Sequence, residues 1–149
     1  MPGSENRQIE VEKAYKFFRE RFGLDVKQME GFRLERISGD FWLVSDTEQE
    51  LETETRGLRA LRDTGKYLKP TTYVLQLFDD ELEKNVVELE KEELKAILDE
   101  EDMIEVEASS KGYVAIKYEG RVIGCGLYMD GVVSSRVSRG RAGELSSLL

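Results

Sequence analysis

From Lys111 to Arg141 apolar and polar positions alternate in short runs broken by glycines. Tyr113, Ala115 and Lys117 alternate with Val114, Ile116 and Tyr118, the period-two pattern of a strand. Glu119-Gly120 breaks the run where a tight turn falls, and a second strand is expected over Arg121 to Tyr128. Asp130-Gly131 then supplies the two positive-φ residues of a type I′ hairpin, with a third strand over Val132 to Val137. Gly124 and Gly126 lie inside the second strand. Their position costs stability unless a bulge, a barrel corner or a closely approaching group requires it.

Upstream the period changes. Over Gln8 to Phe22, residues Ile9, Val11, Ala14, Tyr15, Phe17, Phe18 and Phe22 fall largely at helical spacing, and Gly23 is a C-terminal stop. Gly31 to Ile37 and Phe41 to Val44 read as a strand pair joined through Ser38-Gly39-Asp40, with Trp42 read as core of this unit. Asp46 to Thr55 is polar and acidic and marks a subdomain boundary. Beyond it, Arg56 to Leu61 is expected as a short helical turn, Pro70 precedes a strand over Thr71 to Phe78, and Glu90 to Leu98 reads as a helix. Leu89, Leu94, Ile97 and Leu98 are available to its core side. The tail Ala142 to Leu149 is small and partly apolar, read as frayed or as a docking segment.

Composition narrows the chemistry. A chain of 149 residues can bury about two thirds of its unfolded surface, enough for a core without staples. It holds no histidine, which removes the commonest general base and transition-metal ligand, and with them hydrolase triads and zinc sites. Cys125, the only cysteine, excludes an internal disulfide and suits a reducing cytoplasm; without an activating histidine it reads as a small structural residue. Gly124-x-Gly126 opens no helix, against a dinucleotide loop. Asp99-Glu100-Glu101-Asp102 lacks the spacing and turn glycine of a calcium loop and reads as a solvated helix end. No run approaches a membrane span and MPGSENRQ has no apolar signal region, so a soluble cytoplasmic protein is expected.

The formal net charge is −9, which seen alone argues against a polyanionic partner. Its distribution reverses that reading. Residues 79–109 hold fourteen acidic side chains and three lysines, whereas 56–69 hold five basic side chains and one aspartate. Residues 110–141 hold six basic side chains against Glu119 and Asp130. Screening confines a surface field to about 8 Å in physiological salt, so a basic patch works on an acidic protein when the fold separates the two.

The residues Gly112-Tyr113-Val114, Tyr118-x-Gly120-Arg121-x-x-Gly124-x-Gly126 and Asp130-Gly131 carry a likeness, with Gly57-Leu58-Arg59, Gly65, Lys69-Pro70 and Tyr73-Val74-Leu75 upstream. Together they resemble the PUA-like RNA-binding domain of Sun/Fmu-type RNA cytosine-5 methyltransferases, and small free-standing archaeal proteins of that group. Where many members carry a Lys-Asn-His-Tyr-Pro-Lys type segment, this chain reads Ser134-Ser135-Arg136-Val137-Ser138-Arg139, which keeps the basic character without the aromatic and the proline. The resemblance implies the fold of the second half and an RNA-binding role. The separate catalytic domain that carries the attacking cysteine in those enzymes is not found here.

The expected fold is α+β: an N-terminal helix-plus-antiparallel-sheet subdomain over 1–54, then a PUA-like mixed β-barrel with a short helix over 55–149. The expected function is non-catalytic binding of structured RNA, rRNA or tRNA, in RNA modification or ribosome biogenesis, with no cofactor, no metal and no membrane. Candidate RNA contacts are Arg59, Arg62, Lys66, Lys69, Lys111, Lys117, Arg121, Arg136, Arg139 and Arg141, with backbone exposed beside Gly124 and Gly126. Each has a plainer reading. The arginines at 136, 139 and 141 equally solvate an edge strand, the lysines equally serve solubility, and Tyr113 and Tyr118 read as packing residues. An alternative uses the acidic segment 79–109 and the first helix as an adaptor docking on a methyltransferase or a ribosomal protein.

Overall fold

In the computed structural model, residues 2–45, 57–100, 103–108, 110–137 and 139–149 are described. Helix α1 runs Pro2–Phe22. Ala14, Phe18 and Phe22, four apart, form one stripe with no exposed surface, and burying such phenylalanines stabilises the fold by about 2–3 kcal/mol each. The helix stops at Gly23, whose φ of +71° a side chain would resist. Its last carbonyls are satisfied from far along the chain: Phe22 accepts from the N–H of Glu83 at 2.7 Å, and Arg21 accepts from Asn85 Nδ2 at 2.6 Å.

Strands β1 (Phe32–Ile37) and β2 (Asp40–Ser45) pair antiparallel as expected, around Ser38-Gly39 with φ of 51° and 89°, the positive pair of a type I′ turn. Residues 58–61, expected as a helical turn, instead belong to strand β3 (Leu58–Asp63), while Arg56 lies outside the described residues. Pairing with β2 on one side and with β4 (Leu68–Pro70) on the other gives this segment more backbone partners than an isolated turn has. The sheet order is β1-β2-β3-β4, and Pro70 stands on the edge strand, where a missing N–H is tolerated.

Thr71 to Phe78, expected as a strand, is α-helix α2 (Thr72–Leu77). Two forces outweigh the apolar run's strand propensity. Thr71 Oγ1 caps the helix by accepting from the N–H of Val74 at 3.2 Å, and the burial of Val74, Leu75 and Phe78 follows a helical stripe, leaving Tyr73 and Leu77 outside.

The second sheet holds β5 (Val86–Glu88), β6 (Ile104–Glu105), β7 (Gly112–Tyr118), β8 (Arg121–Met129) and β9 (Val132–Ser135). It curls into a half barrel in the order β5-β7-β8-β9-β6, with β5 parallel to β7 and the rest antiparallel. The two hairpin turns sit where the sequence puts them, at Glu119-Gly120 and Asp130-Gly131. The strand expected to reach Val137 ends at Ser135. Helix α3 (Lys91–Asp99) starts at a capping box in which Glu90 and Glu93 exchange side-chain and backbone bonds, and Leu94, Ile97 and Leu98 are buried. The tail, read as frayed or docking, forms α4 (Arg139–Ser147), with Ala142, Leu145 and Leu149 packed against the core.

The alternation expected in β7 is broken by three successive buried residues, Val114, Ala115 and Ile116. The reason is that both faces of the strand are covered. Ala115 joins a core with Phe18, Phe41, Leu61 and Val74, and Val114 and Ile116 join a second with Leu94, Ile97 and Val133. The architecture is therefore mixed α+β, with two sheets and four α-helices among the described residues around two adjoining cores. The boundary expected after residue 54 falls among residues 46–56, outside the described residues, and β3 beyond it hydrogen-bonds to β2 before it. Among the described residues no helix is long and apolar enough to cross a membrane.

Candidate nucleic-acid interface

A cleft of about 470 Å³ opens where β2, β3, β4 and the start of α2 meet the end of β9. Its basic lining comes from Arg59, Arg62, Lys69 and Arg136, with the rings of Trp42 and Tyr73 beside them. The two basic segments, some seventy positions apart in sequence, thus face one space. Among the described residues no carboxylate lines it.

Local structure explains how each cation is held. Trp42 and Arg59 are register partners across β2 and β3, with the guanidinium 5.4 Å from the indole centroid. Asp40 lies behind them, its Oδ2 3.4 Å from Arg59 Nε and its Oδ1 accepting from the N–H of Asp63. Thr71 donates its hydroxyl to the carbonyl of Arg59 at 2.6 Å while capping α2, fixing the β3 wall to the helix that carries Tyr73. Arg136 continues the sheet past β9 through its N–H to the carbonyl of Cys125, and its guanidinium donates to Ser134 Oγ and the carbonyl of Ser135.

The floor includes buried Cys125. Burial pushes its thiol up to about 12, opposed by the charges of Lys69, Arg136 and Arg21. A neutral thiol makes a poor nucleophile, which agrees with its reading as a small packing residue.

The other expected contacts are scattered. Lys66 sits at the β3–β4 turn near Glu10, Lys13 and Asp63, and Lys111 is exposed beside Arg21, which donates to its carbonyl. Lys117 donates to the carbonyl of Asp79 at 3.0 Å, and Arg121 lies 3.9 Å from the Asp79 carboxylate, so these two share one acidic neighbour away from the cleft. Arg141 is half-buried on α4, and the side chain of Arg139 lies outside the described residues.

Gly124 and Gly126 require a correction. Both are buried, and the group that approaches them is the protein itself. A Cβ on Gly124 would stand 2.3 Å from Val137 Cγ2, and one on Gly126 2.8 Å from Ile116 Cδ1 and 2.9 Å from Val133 Cγ2. Packing, not an open backbone edge, accounts for both glycines.

Trp42 and Tyr73 are the residues sequence reasoning missed. Trp42 was expected in the core but is half-buried on the cleft wall. The signal was present, because Trp42 alternates with Phe41 and Leu43, which are buried on the other face. Tyr73, 56% exposed, could be placed only once α2 was known to be helical. Tyr113 and Tyr118 do pack against the two cores, and burial, aided by Tyr67, pushes the Tyr113 hydroxyl up to about 12.

Residues 84–141 match the family model of the methyltransferase RsmF PUA domain. This segment is similar to the PUA domain of that methyltransferase family, in agreement with the resemblance read from the sequence. No curated protein is matched by the chain. The match suggests a role in RNA binding linked to RNA methyltransferases. The matched segment spans the half barrel from its lead-in to the start of α4 and contributes Arg136 and Cys125 to the cleft. Arg59, Arg62, Lys69, Trp42 and Tyr73 come from the preceding sheet and α2, outside the matched segment.

Proposed function

We propose that this protein binds structured RNA, rRNA or tRNA, at the cleft between its first sheet and its PUA-like domain, and that it serves RNA modification or ribosome biogenesis without performing catalysis itself. The observation that carries this reading is the convergence of Arg59, Arg62, Lys69 and Arg136 on one space that no carboxylate lines among the described residues, in a chain whose net charge is −9. Phosphate neutralisation supplies most of the nonspecific affinity for RNA, so a local cationic site is what an acidic protein needs.

The cations contact phosphates and set the orientation of the strand. Tyr73 offers a ring face on which an unstacked base rests, a contact contributing about 1–3 kcal/mol, while the Trp42 ring holds the Arg59 guanidinium in place. Arg59 is the most committed of the four, because it already faces the Trp42 ring and Asp40.

The test is a salt series of binding to total tRNA and to structured rRNA fragments, comparing wild type with Arg62→Glu/Arg136→Glu, one substitution on each wall. Wild-type affinity falls as salt rises, and the variant's log–log slope is shallower by about 1.4–1.8, at about 0.7–0.9 for each of the two phosphate contacts. No binding by wild type at low salt, or equal slopes for the two proteins, would refute the cleft as an RNA site.

A further inference from the structure

The half barrel does not close. Its terminal strands, β5 and β6, are separated in the sheet order by β7, β8 and β9, yet both line one groove of about 690 Å³. The hydrogen-bond parity of each edge strand shows what it presents there. On β5, the carbonyl of Asn85 accepts from the N–H of Ala115 and the N–H of Leu89 donates to the carbonyl of Lys117, so 85, 87 and 89 face β7. The backbone N–H and C=O of Val86 and Glu88 therefore point away from the sheet. On β6, the N–H of Val106 donates to the carbonyl of Gly131, so 104 and 106 face β9 and the backbone groups of Glu105 and Glu107 point away. Among the described residues these outward groups have no strand partner. The groove is thus bordered by two unpaired strand edges.

We propose that this groove is a docking site for an extended lysine- or arginine-rich segment of a protein partner, which adds a strand to the open edge. Charge selects the occupant. Glu88, Glu105, Glu107 and Asp130 line the groove together with Val86, Val87, Val106 and Val132, and among the described residues no basic one does. RNA is repelled for the same reason. A basic strand whose side chains alternate satisfies both features, giving main-chain bonds to the edge and cations to the glutamates, while its alternate apolar side chains meet the valines. The inference stands independently of the RNA reading, since the groove shares no lining residue with the cationic cleft.

The probe is a short peptide of alternating lysine and valine, titrated into the full chain with backbone amide shifts and amide exchange followed by NMR. Two controls accompany it: the same peptide N-methylated at alternate residues, and a Glu105→Lys/Glu107→Lys variant of the protein. The expected result is shifts confined to β5, β6 and the Asp130-Gly131 turn, and slowed exchange at Val86, Glu88, Glu105 or Glu107. Affinity should drop about tenfold or more on methylation and in the variant, while tRNA binding persists. Equal binding of the methylated peptide would overturn strand addition in favour of charge alone. Absence of binding by the unmodified peptide would overturn the site, leaving the glutamates as guards against edge-to-edge pairing.

Discussion

Asn85 is 5% exposed and holds the junction between α1 and the second sheet. Its Nδ2 donates to the carbonyl of Arg21 at 2.6 Å, and its Oδ1 accepts from the N–H of Ser110 at 3.2 Å, while its backbone has a φ of 53°. Replacing it with alanine leaves a helix-end carbonyl and a loop N–H without partners, at about 1–3 kcal/mol for each group that water cannot reach. The left-handed backbone adds about 1 kcal/mol for a residue with a Cβ and no local hydrogen bond. Asn85→Ala should therefore cost about 3–7 kcal/mol, and Asn85→Gly about 1 kcal/mol less, because glycine removes the conformational part and keeps the loss of hydrogen bonds. Urea unfolding of the full chain, followed by tryptophan fluorescence and circular dichroism, reads both as shifts in midpoint at constant slope. An alanine variant within 1 kcal/mol of wild type, or a glycine variant no more stable than the alanine one, would refute the account of this residue.

Two further outcomes follow from the packing. Gly124→Ala should lose about 1–3 kcal/mol because its Cβ would meet Val137 Cγ2 at 2.3 Å, and Val137→Ala in the same chain should restore part of that loss, measured as a double-mutant cycle in urea. Cys125, raised from 9.0 to about 12 by burial, stays protonated in the fold after the unfolded chain has lost its proton. The unfolded state then binds fewer protons, so stability falls by about 1.4 kcal/mol per pH unit between roughly 9 and 12; Cys125→Ala should remove that part of the alkaline slope, read by unfolding at several pH values.

The hairpins were legible in the sequence because their signals are local. Asp130-Gly131 and Glu119-Gly120 fix both their turns and the strands beside them. The errors at β3 and α2 share a cause. Leu58 to Leu61 and Tyr73 to Leu75 are short apolar runs whose state is decided by a partner elsewhere, β2 and β4 for one and the Thr71 cap over the first core for the other. For the site, residue type pointed to Arg59, Arg62, Lys69 and Arg136, but it could not separate them from Lys66, Lys117 and Arg121, which carry the same charge and lie elsewhere. Only the approach of β9 to the first sheet sorts them.

The capping of α1 by residues 83–85, together with a core that joins Phe18 and Phe41 to Ala115, Val122 and Cys125, has a consequence for synthesis on the ribosome. The first sheet leaves the exit tunnel before the strands that cover it exist, and its apolar face waits through the making of α2, β5 and α3. Contacts this distant in sequence make for slow folding, because loop closure must be accomplished before the buried surface repays it. During that interval the nascent chain exposes Phe18, Phe41 and Leu61, the kind of apolar surface that makes an incomplete fold prone to aggregate. Completion of β8, not of the first sheet, is the moment at which the N-terminal core becomes secure.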